Sequence, residues 1–81
     1  MVRAAAIVIL ALSVSACSSA ADKASEQHQF LVDSQAPPVE LCGSAMGVRQ
    51  AYADEQDAQN YNRWRSIAYN ECTKAGIKIA Y

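Results

Sequence analysis

Residues 38 to 76 decide the fold and read PVELCGSAMGVRQAYADEQDAQNYNRWRSIAYNECTKAG. In the first half of this stretch, four apolar residues recur at spacings of four, three and four: Leu41, Ala45, Val48 and Tyr52. In the second half, apolar residues recur at spacings of three and four: Tyr61, Trp64, Ala68, Cys72 and Ala75. Such spacing places each set on one face of a helix, so the sequence predicts two amphipathic helices.

The first of these helices is predicted to run from Pro38 to Ala53. A proline at the first helical position loses no hydrogen bond, and Glu40 in the first turn suits the helix dipole. Gly43 and Gly47 weaken the prediction, because a glycine in a helix interior costs about 1 kcal/mol relative to alanine.

A turn between the two patterned segments is required by geometry. In one straight helix, at about 100° per residue, the two apolar faces would point in opposite directions. The polar run at residues 54–57 supplies residues for a turn and a helix cap, so that the two faces can meet.

Cys42 and Cys72 are equidistant from residue 57, and antiparallel helices would bring them level. Their disulfide would close a loop of about 31 residues and stabilise the fold by roughly 3 to 4 kcal/mol.

The predicted fold class is therefore all-α: a small disulfide-stapled antiparallel helical hairpin over residues 37–76. Gly76 is placed to end the second helix, with Ile77 beside it for the apolar contact that accompanies such ends. Residues 77–81 alternate in polarity and are predicted to form an extended tail.

The beginning of the chain has the anatomy of a signal peptide. Residues 1–16 read MVRAAAIVILALSVSA, with one positive charge at Arg3, an apolar run and small residues at the end. The apolar run from Ala4 to Val14 would be about 16 Å long as a helix, roughly half the hydrocarbon thickness of a bilayer. It is therefore predicted to direct export rather than to span a membrane.

Val14, Ser15, Ala16 and Cys17 form the pattern of an aliphatic residue, two small residues and a cysteine. In this motif the chain resembles a bacterial lipoprotein precursor. The resemblance implies cleavage between Ala16 and Cys17, a diacylglyceryl group on the Cys17 thiol and an acyl chain such as palmitate on its amine. The family's sorting habit, with Ser18 where an aspartate would favour the inner membrane, implies an outer membrane location facing the periplasm. Lipidation of Cys17 would also leave an even pair of cysteines.

Two alternatives to this interpretation stay open. Val14, Ser15 and Ala16 also fit ordinary signal peptidase, which would release a secreted, non-lipidated peptide with a free Cys17 thiol. A small lipoprotein with a cysteine pair is also similar in kind to the exclusion lipoproteins of plasmids and phages.

Residues 17–36 are predicted to form a lipidated, flexible tether. Their composition is mostly Ser, Ala, Asp, Lys, Glu and Gln, with one apolar island at residues 30–32. Such a coil would span about 25 Å. His28, the only histidine, lies here and is predicted to be solvated.

Composition bounds the function. The chain has 81 residues with 7 Lys+Arg and 8 Asp+Glu, and its net charge of -1 argues against nucleic-acid binding. The one base available for nucleophilic catalysis is His28, so an enzyme is not expected, and no metal site, cofactor or small-molecule substrate is inferred. We expect a structural or protein-binding role at the membrane, with an unidentified envelope protein as partner. The candidate partner contacts are Gly43, Gly47, Arg63 and Arg65.

Overall fold

The computed structural model describes residues 19–81, which form three helices. Helix α1 runs over Ala20–Asp33, α2 over Pro38–Asp54 and α3 over Ala58–Lys74. The predicted signal peptide and the lipidation site Cys17 lie outside the described residues.

Helices α2 and α3 form the predicted antiparallel hairpin. Helix α2 begins at Pro38 and ends one residue beyond the predicted end. Asp57 caps α3, and its carboxylate accepts hydrogen bonds from the backbone N–H and the side chain of Asn60, at 3.1 and 2.9 Å. These bonds lower the pKa of Asp57. At the other end of the hairpin, Cys42 and Cys72 form the predicted disulfide, with a Cα–Cα distance of 4.5 Å.

The prediction of a flexible tether is wrong for residues 20–33, which form helix α1 and pack against α2. Ser19 caps this helix, because its hydroxyl accepts a hydrogen bond from the Asp22 N–H at 2.9 Å. The inward face of α1 consists mainly of small or polar residues, including Ala21, Ala24 and His28. These positions and Leu31 recur at helical spacings of three, four and three, and Ser19 with Asp22 forms a cap signature, so the helix was readable from the pattern although the polar composition hid it.

The core is small and lies along the contact between the three helices. Trp64, the largest hydrophobic side chain, is 5% exposed, as the sequence predicted. The other buried members of this cluster are Ala21, Ala45, Val48, Tyr52 and Ala68. With so few large apolar groups, the fold depends on the disulfide and on polar contacts as well as on burial.

All three helices end with the same backbone turn. The residue after each C-cap has a positive φ: Gln35 at 59°, Gln56 at 58° and Gly76 at 74°. The N–H of the following residue then bonds to a carbonyl in the last turn of the helix, as in Ile77 to Cys72 at 2.9 Å. Gly76 therefore ends α3 as predicted, whereas two glutamines adopt a conformation that favours glycine.

Residues 77–81 have no regular secondary structure and fold back over α3. The Tyr81 ring contacts Tyr69 edge-on with centroids 5.3 Å apart, and its hydroxyl lies 2.7 Å from Ser66 Oγ. The Arg65 guanidinium lies 4.8 Å from the centroid of the Tyr81 ring. These contacts attach the tail to the hairpin.

Candidate functional site

His28 is the point at which all three helices meet. Its side chain extends from α1 and is buried, with the residue 4% exposed. Nδ1 lies 2.9 Å from Ser44 Oγ of α2, and Nε2 lies 3.5 Å from Glu71 Oε2 of α3. The ring also meets Trp64 of α3 edge-on, with centroids 5.1 Å apart. The prediction that His28 is a solvated side chain is therefore wrong.

Each ring nitrogen of His28 has a partner of suitable chemistry. The Nδ1 atom shares a hydrogen bond with the Ser44 hydroxyl, and Nε2 lies within electrostatic contact of the Glu71 carboxylate. Glu71 is 13% exposed at its side chain and also lies 3.6 Å from Lys74 Nζ. Because buried polar groups are costly unless they are paired, this arrangement fixes the position of α1 on the hairpin.

A groove runs between α1 and α3 beside His28. Its volume is about 460 Å³. Apolar side chains from both helices line part of it, and charged groups line the rest: Val32, Trp64 and Ile67, with Glu26, Arg63 and Glu71. The groove thus offers an apolar surface between charges of both signs.

Ser44, His28 and Glu71 bring together residue types that also serve in acyl transfer. No local motif indicates that His28 approaches a serine. A nucleophile and its base must face a common substrate cavity, with N–H donors for the oxyanion. His28 and Glu71 line the groove, but Ser44 does not. Ser44 lies inside α2, where backbone N–H groups bond within the helix. The geometry suits a link between helices better than a catalytic site.

A second polar junction joins α1 to the turn between α2 and α3. The Tyr52 hydroxyl donates to Asp22 Oδ1 at 2.7 Å, and the Ala21 N–H donates to Glu55 Oε2 at 3.0 Å. The hydrogen bond to Asp22, together with burial and nearby carboxylates, raises the pKa of Tyr52 to about 12. Helix α1 is therefore held at its first turn as well as at His28.

The predicted partner residues fall into two groups. Gly43 and Gly47 are exposed on α2, and a Cβ at either position would meet nothing within 4 Å, so no helix among residues 19–81 docks there. Arg63 is exposed and lines the groove. Arg65 instead stacks on Tyr81, and its Nε is buried with no hydrogen-bond partner among the described residues. Of the four, Arg63 alone lies beside the groove.

Residues 19–81 contain no group of three or more His, Cys, Asp or Glu side chains placed to hold a metal ion. None of the three described helices combines the length and the hydropathy that crossing a bilayer requires.

Comparison of the chain with known protein families, with curated proteins and with solved structures finds no match.

Proposed function

We propose that this chain is a small lipoprotein of a bacterial cell envelope, anchored by acyl chains on Cys17, whose helical domain has a structural or protein-binding role. The observation that carries the proposal is the motif from Val14 to Cys17 behind an apolar run of the length found in signal peptides. The disulfide adds support: the chain has three cysteines, and the bond between Cys42 and Cys72 leaves Cys17 as the one available for lipid.

The binding role is supported by the surface between α1 and α3. The groove is large enough for several side chains of a partner, and its lining combines the exposed Val32 and Arg63 with the half-buried Ile67 and Glu71. Arginine side chains are enriched at the centres of protein interfaces. A protein of the same envelope is the partner class that fits a membrane-anchored domain.

Metabolic labelling with an alkyne analogue of palmitate, followed by intact mass, tests the anchor. In a bacterial host we expect the mature wild-type chain to begin at Cys17, to carry label and to fractionate with membranes. Cys17→Ser should lose the label and leave the membrane fraction, whereas the neighbouring Ser19→Ala should keep both. A wild-type mass of residues 17–81 without acyl chains would contradict the proposal and support the secreted peptide.

The proposed location is the outer membrane, on its periplasmic side. Ser18 follows the lipidated cysteine where an aspartate would favour the inner membrane, and a disulfide suits the oxidising periplasm. In a host with two membranes, density-gradient fractionation should place the wild type with the outer membrane and Ser18→Asp with the inner one. Equal distribution of the two proteins would contradict this assignment.

A further inference from the structure

Because residues 20–33 form a helix, the folded domain lies closer to its proposed anchor than a flexible tether would allow. Helix α1 begins at Ala20, only three residues after Cys17. Even fully extended, three residues span at most about 11 Å. The predicted coil of about 25 Å would have held the domain clear of the lipid headgroups, but this link is too short to do so.

We infer that the domain stands end-on against the lipid headgroups, with the turn between α2 and α3 facing the bilayer and the Cys42–Cys72 disulfide facing away. This inference rests on the proposed lipidation of Cys17. The interaction surface is the end of the bundle formed by the beginning of α1 and residues 55–57, and its partner is the headgroup layer itself.

The contacts at the beginning of α1 show which end of the bundle lies nearest to Cys17. The Ala21 N–H bonds to Glu55, and Asp22 accepts a hydrogen bond from Tyr52, so the beginning of α1 is fixed beside the turn between α2 and α3. Helix α2 has 17 residues, and at 1.5 Å per residue it extends about 25 Å from this turn to the opposite end. The disulfide lies at that opposite end.

The chemistry of the surfaces favours this orientation over one in which α1 lies flat. The turn end is hydrophilic, with four carboxylates against one lysine: Asp22, Asp54, Glu55, Asp57 and Lys23. This end can lie at the hydrated headgroup layer, where its charged groups stay in contact with water. The large exposed apolar side chains of α1 are Phe30 and Val32, both in its last turn, among charged residues such as Glu26 and Asp33. Stable binding along an interfacial helix requires a broad apolar face, which α1 lacks.

Fluorescence quenching by spin-labelled headgroups tests the orientation. The lipidated mature protein is placed in phosphatidylcholine vesicles, with a fluorophore on one added cysteine in each of three variants. The labelled sites are exposed positions at the turn end, on the outer face of α1 and at the disulfide end: Gln59→Cys, Gln27→Cys and Thr73→Cys. We expect quenching to decrease in that order, with at least about a twofold difference between the first and the last given their separation along α3.

The matched control lengthens the link. Twelve Gly and Ser residues inserted between Ser18 and Ser19 form a coil of about 19 Å, which should remove the difference between the two ends. Strongest quenching at position 27 would show that α1 lies flat, and equal quenching at all three positions without the insertion would show no fixed orientation. Either result overturns the inference while the protein still floats with the vesicles. Failure of the unlabelled protein to float would instead overturn the anchor, and the orientation with it.

Discussion

The α2–α3 hairpin and helix α1 are held in the fold by different forces. The hairpin buries apolar residues at helical spacing and is closed by a disulfide. Helix α1 buries little besides Ala21 and His28, and polar contacts at its first turn and at His28 position it on the hairpin. The covalently closed part should therefore keep its structure under conditions that release α1. Four sets of substitutions test this division.

Loss of the disulfide should have the largest effect. The double substitution Cys42→Ser and Cys72→Ser removes a cross-link between residues 30 apart in sequence. In the chain-entropy model such a link contributes about 3 to 4 kcal/mol, a large share of the stability of a small domain. Thermal unfolding followed by circular dichroism should show a much lower Tm than in the wild type. A Cys17→Ser variant, which keeps the disulfide, is the control. An unchanged Tm in the double variant would contradict the stabilising role of the disulfide.

His28→Ala should release α1 while the hairpin stays folded. The substitution leaves a cavity beside Trp64 and removes the partner of Ser44 and Glu71, so we expect a loss of about 3 kcal/mol. Hydrogen exchange should accelerate over residues 20–33 much more than over α2 and α3. Gln27→Ala, on the exposed face of the same helix, should leave both rates near the wild type. Equal acceleration in all three helices would mean that the two regions form one cooperative unit.

The same two regions show how far the sequence alone could lead. The hairpin was predictable because Val48, Tyr52 and Trp64 are large apolar residues at helical spacing, with a cysteine pair and Gly76 to support the assignment. Helix α1 was not predicted, because the residues at helical spacing on its inward face are mostly small or polar and lie within a segment of polar composition. Its position depends on polar contacts with residues distant in sequence, such as the hydrogen bond of His28 with Ser44 and its charge contact with Glu71. Local composition carries no information on those pairings, and the groove that they create was missed for the same reason.

Tyr52→Phe tests the second contact between α1 and the hairpin. Loss of the hydrogen bond to the Asp22 carboxylate should cost about 1.5 kcal/mol at neutral pH. The folded state raises the pKa of Tyr52 to about 12 from an ordinary value of 10.0, so it holds the proton more tightly than the unfolded chain. The contribution is therefore fully present below pH 10 and is lost as the pH rises towards 12.

Urea unfolding of the wild type and Tyr52→Phe across this pH range measures the difference. The difference in free energy of unfolding between the two proteins should be constant from pH 7 to pH 9 and should decrease above pH 10. Tyr69→Phe, at an exposed position on α3, serves as the control for general effects of tyrosine ionisation. A gap that stays constant up to pH 12 would contradict the assigned hydrogen bond.

Glycine substitutions in the turns that follow α1 and α2 should change stability least. Gln56 has a φ of 58°, where a side chain is strained and glycine is not. Gln56→Gly should therefore raise the free energy of unfolding by about 0.5 to 1 kcal/mol, and Gln35→Gly, with a φ of 59°, should do the same for the turn after α1. Gln27→Gly, at an exposed position in the middle of α1, should instead lower stability by about 1 kcal/mol. If the free energy of unfolding rises in the two turn variants and falls in the helix variant, backbone conformation decides the outcome, because all three variants lose the same glutamine side chain. A stability loss in Gln56→Gly would mean that the turn after α2 does not require a left-handed residue.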